Sequence, residues 1–137
     1  MTQPREPWNI RPAKKPASVT ASLKTEVEKK AKDLIENVLK PRHVLPPPRQ
    51  KHGNYITDIG AKWFRGYFYY FTTYACHSPN ALSPTFEWKF ARMEPLRDGK
   101  FALYAMRYTG KEWVAVLDAL SVDQCMKAIK DNDWFAL

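Results

Sequence analysis

The sequence predicts a single α+β domain: an N-terminal helix, an antiparallel meander sheet of about five strands, and a C-terminal helix. Three observations carry this. Apolar residues recur with a helical period over residues 20–40. From Tyr55 to Leu117, short β-favouring runs alternate with turn residues. Ser121-Val122-Asp123-Gln124 then has the form of a capping box that opens a final helix. A chain of 137 residues suits one domain. An apolar content of 45% and an aromatic content of 14% suit a packed core.

Residues 1–18 read as a flexible, basic tail, and residues 19–137 as the domain. Pro4, Pro7, Pro12 and Pro16 block helix and sheet ladders and favour extended backbone. Trp8 and Ile10 are the tail's apolar exceptions and could dock on the domain or on a partner. Leu23, Val27, Ala31, Leu34, Ile35 and Val38 mark one face of the first helix. Ser18, Thr20 or Ser22 can cap it, and Pro41 is expected to end it, because proline disfavours helical backbone at Lys40. The run Pro46-Pro47-Pro48 makes a stiff connector to the sheet.

Tyr55 to Ile59 reads as a short strand that Gly60 ends. Lys62 to Tyr74 reads as one long aromatic strand, and Cys76 to Pro84 as a loop. Thr85 to Met93 alternates, with Phe86, Trp88 and Phe90 opposite Glu87 and Lys89. Asp98-Gly99 is a hairpin signal. Phe101 to Tyr108 and Glu112 to Leu117 complete the sheet, separated by Thr109-Gly110. The final helix has Leu120 and Cys125 placed as a hydrophobic staple and is expected to end near Asp131. Trp134 and Phe135 are expected to pin the C-terminus to the domain.

The net charge is +8. Arg5, Arg11, Lys14 and Lys15 against Glu6 leave the tail at +3, so the domain carries +5. Such a balance favours a nucleic acid or another polyanion as partner. The N-terminus has no apolar signal stretch, no run is long enough to span a membrane, and two cysteines without a secretory context fit the cytoplasm.

Alternation along the long aromatic strand separates two faces. Phe64, Gly66, Phe68 and Tyr70 form the apolar set expected in the core. Trp63, Arg65, Tyr67, Tyr69 and Phe71 form an amphipathic set around a guanidinium. Bases stack on such rings, and the arginine can add a phosphate or cation–π contact. Both helices on one side would leave this set open; one helix on each side would cover it. Arg42, Arg49 and Lys51, with His43 and His52, form a second basic segment able to meet phosphates.

Nothing nominates a catalytic or metal site. Cys76 and His77 are adjacent, so their side chains diverge in extended chain. His43, His52, His77 and Cys76 lack metal-ligand spacing. Asp58, Glu87 and Glu112 could meet only by chance of strand pairing. Five scattered glycines make no phosphate loop, and no cofactor is expected. The expected function is a non-catalytic binding module for single-stranded nucleic acid or another polyanion, using Trp63, Arg65, Tyr67, Tyr69, Arg42, Arg49 and Lys51. A homodimer or protein-interaction module on the same face is the first alternative, and a small-molecule domain with a pocket between helix and sheet the second.

Leu39-Lys40-Pro41-Arg42-His43-Val44, Lys89-Phe90-Ala91-Arg92-Met93, Met106-Arg107-Tyr108-Thr109-Gly110, Leu120 to Cys125 and Trp134-Phe135 resemble a family of short uncharacterised bacterial proteins, a domain of unknown function. The resemblance covers most of residues 20–137 and implies a stand-alone bacterial domain. It implies no activity and transfers no functional residue.

Overall fold

Thr20 starts the first helix: its hydroxyl accepts the backbone N–H of Leu23 at 3.1 Å, satisfying one of the donors a helix start leaves free. The computed structural model describes residues 17–46, 54–76, 83–107 and 112–137; the tail expected over residues 1–16 lies outside them. Helix α1 (Ala21–Leu34) buries Val27, Ala31 and Leu34. It does not stop before Pro41. A π-turn over Ile35–Leu39 follows, in which the Lys40 N–H reaches the Ile35 carbonyl, and a last turn, α2 (Lys40–His43), contains Pro41. The wider turn shifts the hydrogen-bond ladder by one residue, so the helix passes the proline's missing donor. Lys40 then ties this end to the sheet, 2.7 Å from Glu36 and 3.1 Å from Asp58.

Five strands follow in chain order: β1 (Asn54–Phe64), β2 (Tyr67–Cys76), β3 (Thr85–Pro95), β4 (Phe101–Met106) and β5 (Trp113–Leu120). They pair antiparallel with neighbours in sequence order, as a meander requires. Gly60 does not end a strand, and Lys62 to Tyr74 is not one strand. The hairpin falls at Arg65-Gly66, with φ of 51° and 87°. Two successive positive φ values are what a tight hairpin turn needs to match strand twist. Gly60 lies inside β1 opposite Phe71, where a side chain's first carbon would come 2.6 Å from the Phe71 ring. Its lack of a side chain makes room for that ring.

Asp98-Gly99 forms the β3–β4 turn, again with positive φ at both residues. A bulge in β3 sets Tyr70 opposite Ala91 but Phe71 opposite Lys89. Phe90 is the extra residue, which buries Phe90 and Ala91 together. The last helix, α3 (Val122–Asp131), starts on the expected capping box. Ser121 Oγ accepts from the Gln124 N–H, and Gln124 Oε1 accepts from the Ser121 N–H. Phe135 is buried as a terminal pin, whereas Trp134 is 54% exposed.

Helices α1 and α3 pack on each other, with Lys30 2.7 Å from Asp123. They share one side of the sheet. Val27, Ile35, Cys125 and Ile129 meet Ile59, Phe68, Tyr70, Met93 and Leu103 in one core. Tyr70 is fully buried, and its hydroxyl reaches the sulfurs of Met126 at 3.1 Å and Met93 at 3.6 Å. Among the described residues no helix is long and apolar enough to cross a membrane.

Candidate functional site

With both helices on one side, no described element packs on the other. The hairpin register decides which side chains lie there. Trp63 pairs with Phe68 and Phe64 with Tyr67, and partners across a ladder share a face. Trp63 therefore belongs to the helix-covered side, its ring centroid 5.0 Å from that of Phe68 and capped by Lys24 of α1 at 5.6 Å. Phe64, expected in the core, is 50% exposed on the open side. The turn between them explains the exchange: two residues that belong to no strand shift the alternation between β1 and β2.

The open face then reads, strand by strand, Lys62 and Phe64; Tyr67, Tyr69 and Phe71; Lys89, Arg92 and Glu94; Ala102 and Tyr104; Trp113 and Ala115. Cations lie over rings across it. Lys62 Nζ is 4.9 Å from the Phe71 centroid, Arg65 5.1 Å from Phe64, and Lys89 5.7 Å from Tyr69. Arg92 forms the centre. Its guanidinium carbon lies 4.4 Å from Tyr104, 4.7 Å from Tyr67 and 5.0 Å from Trp113. Trp113 leans across from the far strand, 5.9 Å from Tyr69. Phe64 and Tyr69 lie 6.5 Å apart, and Tyr67 and Tyr69 6.1 Å apart, so the rings form a continuous surface.

Among the described residues, one of these cations meets an acid. Lys62 lies 3.6 Å from Glu87. Arg92 makes no ion pair with a described residue, and its buried Nε lacks a hydrogen-bond partner among them. Beside it the Tyr104 hydroxyl donates to Glu94 Oε1 at 2.7 Å. Burial, then the bond to Glu94 and its charge, push the Tyr104 phenol up to about 12, although Arg92 opposes the rise.

Of the residues expected at the site, Tyr67 and Tyr69 lie on this face and Arg65 stands at its rim in the hairpin turn. Trp63 does not join them. Arg42 is exposed in α2, its Nη1 3.5 Å from the carbonyl of Lys130, so it belongs to the helix layer on the other side. Arg49, Lys51, His52 and His77 lie outside the described residues. Arg92, Lys89, Tyr104 and Trp113 were missed. Alternation had already set Lys89 opposite Trp88 and Phe90; reading Arg65-Gly66 as a turn would have paired it with the tyrosines.

Chemical alternatives find less support. Asp58 pairs with Lys40, Glu87 with Lys62 and Glu112 with Arg107, so these acids do not converge. Among the described residues no three His, Cys, Asp or Glu side chains gather as a metal site. Cys76 and Cys125 are both free thiols. Burial pushes the Cys125 thiol up to about 12, which leaves it a core residue rather than a nucleophile.

The fold and this face define an α+β protein with a helix layer on one side and an open cation–aromatic sheet on the other. The chain belongs to the DUF3024 family, described as a domain of unknown function, whose model matches residues 19–136. No curated protein and no solved structure matches the chain.

Proposed function

We propose that this domain is a non-catalytic binding module for single-stranded nucleic acid, and that the open sheet face is its binding surface. The observation that carries this is Arg92: a guanidinium with no acid partner among the described residues, held against three aromatic rings at the centre of that face. Such an arginine is oriented in advance for a phosphate and need not give up an ion pair to take one. The surrounding rings offer stacking surfaces, worth about 1–3 kcal/mol per base. Arg65 adds to the case. An Asn or Gly would fit its left-handed backbone better, yet the position holds a cation at the rim of the face. Free thiols at Cys76 and Cys125 fit a reducing, cytoplasmic setting.

Fluorescence anisotropy with labelled single-stranded DNA and RNA tests the reading. Binding is expected to weaken with salt. A log–log slope of roughly −3 follows if Lys62, Arg65, Lys89 and Arg92 all meet phosphates. Absence of binding at low salt, or binding indifferent to salt, overturns the proposal. So does a dimer, seen by sedimentation, that buries the face and excludes the oligonucleotide.

A further inference from the structure

The chain enters the domain at the end of the sheet. The Ala17 N–H donates to the Pro95 carbonyl at 3.2 Å. Pro95 is the last residue of β3 and pairs with Phe101 of β4. The Leu96 N–H bonds back to the Lys100 carbonyl on the β4 side. In a planar trans peptide the carbonyl and the next N–H point opposite ways, so the Pro95 carbonyl points away from β4, toward β2. There β2 has already ended: it begins at Tyr67, and its pairing with β3 stops at Phe68 and Met93. Ala17 therefore sits beyond the end of β2, next to the Arg65-Gly66 turn, and Arg65 is the cation at the rim of the open face.

The surroundings of this anchor are basic. Ala17, Arg97 and Lys100 line one cavity of about 500 Å3. Arg97 and Lys100 are exposed, and neither makes an ion pair with a described residue. Asp98 is the acid of the same turn. The sixteen residues before Ala17 bring more positive charge: Arg5, Arg11, Lys14 and Lys15 against Glu6 give them +3. Like charges gathered at one end repel in the free protein, and a polyanion laid there relieves the repulsion.

Resting on the binding role proposed above, we infer that residues 1–16 are a basic arm that adds phosphate contacts to the strand held on the open face, led by Lys14 and Lys15. Reach supports this. Lys14 is three residues from Ala17, which covalent geometry allows to span about 10 Å, and each lysine adds its four-carbon stem. On the other side of the anchor, Arg92 is three residues along β3 from Pro95, again about 10 Å. A strand whose phosphates meet Arg65 and Arg92 passes within range of both lysines. The open face then supplies the rings and the arm lengthens the track for the backbone.

Anisotropy of the full chain with a labelled single-stranded oligonucleotide, repeated over a range of salt, tests the arm. Four platform contacts give a log–log slope of roughly −3, and two more at about 0.7 each bring the parent to about −4. Lys14→Ala/Lys15→Ala is expected to return the slope to about −3. Lys29→Ala/Lys32→Ala removes the same charge from exposed positions of α1, in the helix layer, and is expected to keep the parent's slope. If both pairs lower the slope equally, or neither does, the arm is overturned and the platform stands. If the Lys14→Ala/Lys15→Ala pair lowers the slope and Arg92→Ala leaves affinity and slope unchanged, the platform is overturned and the arm stands. No binding by the parent overturns both.

Discussion

Trp63 and Phe68 face each other across the first hairpin, ring centroids 5.0 Å apart, on the helix-covered side of the sheet. The indole nitrogen of Trp63 is buried without a hydrogen-bond partner among the described residues. The ring is therefore an asset and its N–H a cost. Trp63→Phe is expected to hold folding stability within about 1 kcal/mol, while Trp63→Ala loses about 2–4 kcal/mol through the cavity it leaves. Urea unfolding measures both. The Phe variant should bind oligonucleotide as the parent does; a tenfold loss would return Trp63 to the binding surface.

Arg65 occupies the first turn position with φ of 51°, a conformation that strains most side chains and suits Asn. It also holds its guanidinium 5.1 Å from the Phe64 ring at the edge of the open face. Arg65→Asn should raise stability by about 0.5 kcal/mol, because the turn gains more than one exposed cation–π contact loses. The same change should weaken oligonucleotide binding and reduce the salt slope by about one. Thermal unfolding and anisotropy would show the two effects moving in opposite directions. If both improve, the arginine has no binding role.

The capping box at Ser121 and the Asp98-Gly99 turn were legible because both are local: a few neighbouring residues determine them. The helix stripe was legible because its period is long. The hairpin at Arg65-Gly66 was not. It sits inside a run of β-favouring aromatics, and Arg-Gly lacks the Asn or Asp that usually marks such turns. Misplacing it by a few residues exchanged Trp63 with Phe64, since a one-residue shift in alternation swaps the two faces. The passage of the helix through Pro41 was hidden for a related reason. It depends on the hydrogen bond from Lys40 to Ile35, a backbone choice that composition does not encode. Arg92 became visible only once four strands were in register, because Tyr67, Tyr104 and Trp113 come from three strands.

Tyr70 gives a test of core chemistry. Its hydroxyl is fully buried and, among the described residues, finds only the Met126 and Met93 sulfurs, which are weak acceptors. Burial holds this phenol well above its ordinary value. Tyr70→Phe removes a desolvated hydroxyl and keeps the ring against Phe68 and Phe90. Stability is expected to change by less than about 1 kcal/mol in either direction. A loss of several kcal/mol on chemical unfolding would mean that the hydroxyl has a stronger partner than sulfur.

His43, in the last helical turn, has its pKa lowered below 6.5 by burial first and by the charge of Arg42 second. The folded state thus binds this proton less readily than the unfolded chain does. Neutral His43 contributes stability that is present above pH 6.5 and is lost as pH falls through the folded-state value. Melts of the parent and His43→Gln between neutral and mildly acidic pH check the sign. The parent should lose stability relative to the variant on acidification. Parallel curves, or a parent that gains, would contradict the burial of this imidazole.

Arg92 separates charge from shape. Its guanidinium lies over the rings of Tyr67, Tyr104 and Trp113, and a contact of this kind is worth about 0.5–1 kcal/mol where exposed and about 2 where desolvated. A lysine keeps the charge but cannot lie flat on a ring or offer two parallel donors to a phosphate. Arg92→Lys is therefore expected to weaken oligonucleotide binding about tenfold with the salt slope unchanged. Arg92→Ala should lose more affinity and reduce the slope by about one. Lys89, 5.7 Å from a single ring, is the comparison. Lys89→Ala should reduce the slope by a similar amount and cost less affinity, because only charge is removed. Equal losses for Arg92→Ala and Lys89→Ala would mean that the three rings around Arg92 contribute nothing to binding and serve only to hold the face together.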